Sequence, residues 1–154
     1  MRASVSEMLD QPIEEVFAFV ASVEHMGHWV NGVSEPRRTS EGPFGVGSTF
    51  ASKYTYGNKT HDIAYVVTAH DPPTRHAVRS TAGPFPFEGV VTLEPVGRGT
   101  RITNTIDAGA DSTFTSVIFV LFGPLVRMMM RQQLRKELQS LKAALTQDPR
   151  AIPA

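Results

Sequence analysis

The stretch VRMMMRQQLRKELQSLKAAL, residues 126–145, decides the fold. Within it Val126, Met130, Leu134, Leu138, Leu141 and Leu145 recur at spacings of three or four, the period that gathers side chains along one side of an α-helix. The pattern predicts one long helix over residues 112–145, with an apolar stripe that must lie on something. Just upstream, Val117 to Val126 is about half the roughly 20 apolar residues a membrane span needs, and Gly123-Pro124 interrupts it, so it reads as part of a buried helix. The same Gly-Pro is expected to kink the helix or split it in two, because proline removes a backbone hydrogen bond.

A sheet to receive the stripe precedes it. From Val33 to Ala108 the chain turns β-branched and aromatic, punctuated by Gly42-Pro43, Gly57-Asn58, Asp71-Pro72-Pro73, Gly83-Pro84 and Gly97 to Gly99. Six strands fit between these breaks, near 33–40, 47–56, 60–70, 74–82, 86–95 and 99–108, and residues 2–10 can supply a first. Pro12 suits the first position of a helix, Glu14 and Glu15 suit its positive end, and Ile13, Val16, Phe17 and Val20 keep helical spacing. Ser22 is placed to cap a second short helix over Val23 to Val30, which Asn31-Gly32 ends. The expected architecture is α+β of the helix-grip type: a curved seven-stranded antiparallel sheet around a long C-terminal helix, with two short helices after the first strand. It forms a single domain over residues 1–146, and 147–154, with two prolines, make a flexible tail.

Composition narrows the function. The chain is 41% hydrophobic and 19% charged, inside the globular range, and fifteen basic residues balance fifteen acidic ones. No net positive field gathers nucleic acid. With no cysteine, thiolate nucleophiles, disulfides and Cys-ligated metals are excluded. The N-terminus MRASVSEMLDQP has no apolar stretch of signal-peptide length, so cytoplasmic residence without integral membrane association is the expectation.

The element order resembles the superfamily of START and Bet v 1-like (SRPBCC) domains, and within it the polyketide cyclase/dehydrase group. Leu9-Asp10-Gln11-Pro12-Ile13-Glu14-Glu15-Val16-Phe17 looks like the family's apolar-x-x-Pro-x-x-x-Val-Phe/Trp opening, and His28-Trp29 sits where the family commonly has a Trp after its second helix. Asp71-Pro72-Pro73 resembles its strand-to-strand turn, and Glu94 to Ile102 its late hairpin. The resemblance implies an internal cavity for a small, largely apolar molecule, aromatic, polyketide-like or lipid-like. The superfamily includes cyclases, hydrolases, carriers and receptors, so two functions stand side by side: a binder of such a molecule, and a cyclase/dehydratase using cavity shape and proton transfer.

Period-two alternation assigns the cavity wall. If Phe50 points inward, so do Ser52, Tyr54 and Tyr56, while Lys53 points out; Ile63, Tyr65 and Val67 share a face, as do His76, Val78 and Ser80, and Phe85, Phe87, Gly89, Val91 and Leu93. The expected ligand-binding set is Trp29, Phe50, Tyr54, Tyr56, Tyr65, His76 and Phe87 from this sheet and its approach, with Phe119, Phe122, Met129 and Met130 from the long helix. Tyr54, Tyr56, Tyr65 and His76 either orient a ligand by hydrogen bonds or fill an amphipathic core. For chemistry His76 is the candidate acid or base, because histidine titrates near neutrality, and Tyr54 is a second catalytic candidate of smaller effect. Arg75 and Arg79, on alternate positions of the same strand, face the cavity only if the register is off by one. His25 and His28 share a helical face but lack a third ligand, so no metal and no cofactor is expected. Arg127, Arg131 and Arg135 form a basic stripe, either solvated or suited to an acidic carrier protein or lipid surface.

Overall fold

The computed structural model describes residues 2–30, 32–56, 58–83, 86–108 and 113–147, the side chains of 56, 108, 113–124, 126, 127, 146 and 147 excepted. Strand β1 (Arg2–Leu9) leads into helix α1 (Ile13–Ala21), a 3-10 turn (Val23–His25) and a single α-turn, α2 (Met26–Trp29). Strands β2 (Val33–Arg38), β3 (Thr49–Tyr56), β4 (Lys59–Asp71), β5 (Arg75–Ala82), β6 (Phe87–Val96) and β7 (Gly99–Ala108) follow, and helix α3 (Thr113–Gln147) ends the described chain. The seven strands form one curved antiparallel sheet in the order β1-β7-β6-β5-β4-β3-β2, so α1 and α2 carry the chain from one edge to the other. This is the helix-grip architecture the sequence predicts.

Local chemistry separates the two faces of the sheet. On the outer face, cross-strand partners are short and polar: Ser4 with Thr105 and Ser6 with Thr103, each hydroxyl pair 2.7 Å apart. Lys53 reaches Asp62 at 2.9 Å on the same exposed side. On the inner face β1, β6 and β7 contribute Leu9, Leu93 and Ile102, packed with Phe19 of α1 against Leu138, Leu141 and Leu145 of α3. Leu138 and Leu141 are completely buried. A second cluster, Val23, Phe50, Ile63, Tyr65 and Val67, lies towards the β2 edge.

The sheet and α1 are tied where β7 begins. Thr100, with no exposed surface, donates its hydroxyl to the carbonyl of Gln11 at 2.8 Å. At Gly99 a Cβ would clash with the carbonyl oxygen of Leu9, so only glycine permits this approach.

Three expectations are corrected. Pro12 is the N-cap of α1 rather than its first residue, its carbonyl accepting from the backbone N–H of Glu15 and Val16. Ser22 makes no capping bond; its hydroxyl donates to Glu24 at 3.5 Å, and the expected second helix divides into a 3-10 turn and one α-turn. Of the two alternatives expected at Gly123-Pro124, the split does not occur, because helix α3 runs through it as one element. Of the expected tail, 147–154, Gln147 is the last residue of α3, and 148–154 lie outside the described residues.

Candidate functional site

Between the two apolar clusters, the sheet and α3 border a half-open cavity of about 510 Å³. Its wall is largely apolar. Phe50, Tyr65 and Phe87 form an aromatic panel, with the rings of Phe50 and Tyr65 stacked at 4.5 Å and those of Tyr65 and Phe87 edge to face at 6.0 Å. Trp29 closes another part of the wall from α2, 7% exposed, and its indole Nε1 is covered with no hydrogen-bond partner among the described residues. Met129 and Met130 face the space from α3, and Tyr54 from β3. Gly89 leaves the floor open, because a Cβ there would touch only Val78, at 3.8 Å. Tyr56, Phe119 and Phe122 have side chains outside the described residues, and Phe85 lies outside them altogether.

Tyr65, His76, Asn104 and Glu137 of the wall take part in three hydrogen-bonded pairs. Tyr65 and Ser52 share a buried bond of 2.7 Å between hydroxyls, and burial pushes the phenol above its ordinary pKa against the opposing effect of that bond. His76, 8% exposed, meets His70 of β4 with their Nδ1 atoms 3.1 Å apart. The rings of Phe17 and Phe44 flank the pair, at 5.3 to 6.3 Å from its centroids. Burial, and then the neighbouring His70, lowers the His76 pKa from 6.5 to about 4, which leaves it neutral at pH 7. One Nδ1 must therefore carry the shared proton and the other accept it. Among the described residues Nδ1 is the only hydrogen-bonded ring atom of His76, so Nε2 is left for chemistry or binding.

The third pair joins the sheet to α3: Nδ2 of Asn104 donates to Oε2 of Glu137 over 3.4 Å, and both residues line the cavity. They are 7% and 8% exposed, respectively.

The register sets these groups apart. Tyr54 pairs with His61 while His76 pairs with His70, nine residues further along β4. Tyr54 and His76 thus occupy different ends of the sheet wall, and the proton partner beside His76 is His70. Neither His70, Asn104 nor Glu137 follows from the sequence reading above, although two carried a signal. Asn104 sits in the inward phase of Thr100, Ile102 and Asn104, and Glu137 falls three residues after Leu134 and four before Leu141, within the apolar stripe.

Other expected groups stay apart from the cavity. The ring of His25 stacks on Phe19 at 4.4 Å and lies 6.0 Å from that of His28; no group of three metal-ligating side chains occurs among the described residues. Arg75, Arg79, Arg131 and Arg135 are exposed, and the Arg127 side chain is outside the described residues. No described helix is long and apolar enough to cross a membrane.

The family described as polyketide cyclase / dehydrase and lipid transport matches residues 1–146. The chain belongs to that family. Solved structures share its fold at low identity. The protein TTHA0849 from Thermus thermophilus is 18% identical over 92% of this chain and 94% of its own, with a TM-score of 0.74. A START superfamily protein from Mycobacterium smegmatis is 13% identical over 95% and 97%, with a TM-score of 0.72. The di-domain ARO/CYC StfQ from the steffimycin biosynthetic pathway is 11% identical over 92% of this chain and 43% of its own, with a TM-score of 0.65. Among curated proteins none matches.

Proposed function

We propose that this family member encloses one small, largely apolar molecule between its sheet and α3. The observation that carries the reading is the cavity of about 510 Å³, inside the roughly 300–1,000 Å³ range of ligand sites and walled by aromatic and aliphatic side chains with a few paired polar groups. Trp29, the sole tryptophan, lies in that wall and reports on occupancy. Titration with Nile red should give a one-to-one complex, with quenching or shift of Trp29 emission in step with the rise in probe fluorescence. An absence of saturable binding at micromolar protein would defeat the reading. The exposed Arg131 and Arg135 support delivery from an acidic carrier protein or lipid surface, an association that salt would weaken.

The His70–His76 pair favours a second reading, cyclisation and dehydration of a poly-β-ketone chain. Neutral at pH 7, with Nε2 available at the wall, His76 has the form of a general base, and His70 can relay the proton through their shared Nδ1 contact. His76→Gln should preserve Nile red binding and lower turnover of a poly-β-ketone substrate by at least about 10²-fold. Unchanged turnover would leave the binder reading alone.

A further inference from the structure

Helix α3 turns an apolar patch and a basic one to the outside. Leu125, Met128 and Met129, spread over little more than one helical turn, are 53%, 51% and 55% exposed. Met129 also lines the half-open cavity, so the patch lies at its rim. Arg135 and Lys136 follow seven positions after Met128 and Met129, two turns along the same sides of the helix, with Arg131 between. All three are exposed. The sequence of α3 holds five basic residues, Arg127, Arg131, Arg135, Lys136 and Lys142, and one acidic residue, Glu137, which is buried. In a chain of zero net charge this helix is strongly basic, and its described residues include no exposed carboxylate. Lys142 is turned towards Glu7 of β1, at 3.9 Å.

From this we infer that the outer side of α3 docks on an anionic lipid bilayer, with Leu125, Met128 and Met129 entering the interface at the cavity rim and Arg131, Arg135 and Lys136 meeting lipid phosphates. The inference deepens the small-molecule reading above and rests on it for its purpose, because it names the surface that exchanges the ligand. Folding explains neither patch. Arginines four positions apart repel along a helix, and apolar side chains more than half exposed add little to a core. A bilayer suits both. Two turns are about 10 Å, so a helix lying flat reaches the interface with both patches at once. Methionine is unbranched and adapts to a fluid acyl boundary, whereas a protein partner would need a shaped pocket for each side chain. Arginine forks onto phosphate through two N–H donors. No described helix is long and apolar enough to cross a membrane, and three apolar side chains with three charges make a peripheral, reversible contact.

Vesicle co-sedimentation at pH 7 and about 0.1 M salt tests this, comparing phosphatidylcholine alone with phosphatidylcholine carrying about one quarter phosphatidylglycerol. The wild-type protein should bind the anionic vesicles at least about tenfold tighter, and about 0.5 M salt should remove the difference. Arg131→Glu/Arg135→Glu should abolish the preference. Leu125→Ser/Met128→Ser keeps every charge and should still weaken binding to anionic vesicles at least about fivefold. Nile red titration without vesicles should be the same for all three proteins, since none of the four residues lines the cavity. Equal affinity of the wild type for both vesicles refutes the docking. So does undiminished affinity of the serine variant, which would show charge acting alone, as towards an acidic protein. In either case the cavity reading stands where Nile red binds. If Nile red does not bind while the anionic preference and both variant losses appear, the docking holds and the cavity reading falls.

Discussion

Lowering the pH should destabilise the fold through His76. Burial and its neighbour His70 bring the folded-state pKa from 6.5 to about 4, so between those values the unfolded chain holds a proton that the folded chain refuses. Stability is then fully present above pH 6.5, falls as the pH falls through this window, and the loss levels off below about 4. The whole shift corresponds to about 3 kcal/mol, a sizeable part of the roughly 5–15 kcal/mol that holds a typical domain together. Urea unfolding of wild type and His76→Gln at pH 7.5 and 4.5 isolates it: the wild type should lose about 2–3 kcal/mol more than the variant, since glutamine keeps hydrogen-bonding capacity but does not titrate. Parallel losses, differing by under about 0.5 kcal/mol, would show that His76 accepts its proton freely in the folded state and would refute the assigned burial of the pair.

Two further outcomes follow from the packing. Leu138→Ala removes a completely buried side chain between α3 and the sheet and should cost about 2–5 kcal/mol in urea unfolding; a loss under about 0.5 kcal/mol would mean the stripe is not the core. Gly89→Leu should preserve or slightly raise the melting temperature, since its Cβ meets only Val78 at 3.8 Å, yet weaken Nile red at least about tenfold by filling the floor; unchanged affinity would place the ligand elsewhere.

The architecture was legible because periodicity is imposed by burial. Leu134, Leu138, Leu141 and Leu145 are 3%, 0%, 0% and 2% exposed, and the alternation at Phe50, Ser52, Ile63, Tyr65 and Val67 marks the inner face. His70 escaped for a structural reason. Strict alternation from Val67 places Ala69 inward and His70 outward, but the β4–β5 register shifts between Val67 and Ala69, and this bulge brings His70 opposite His76. Nothing in a strand's own sequence announces which partner residue it will skip. Asn104 and Glu137 were each visible as a polar residue in an apolar phase, but their meeting is a contact across 33 positions that only the docking of α3 creates. Naming both Tyr54 and His76 as candidates rested on strand facing, which says nothing of position along the strand, and the register sets the two apart.

The placement of β1 also governs the order in which the molecule can be made. Ser4 finds its cross-strand partner at Thr105, 101 positions later, whereas β2 through β7 each pair with the strand next in sequence. A chain emerging from the ribosome can build the meander hairpin by hairpin, yet its first strand must stay unpaired until nearly the last one is released. The closing step pays a large loop entropy, and pairings of such separation fold slowly. Throughout that wait β1 and the open edge of β7 are complementary surfaces, and between two unfinished chains they are the pair most exposed to exchange.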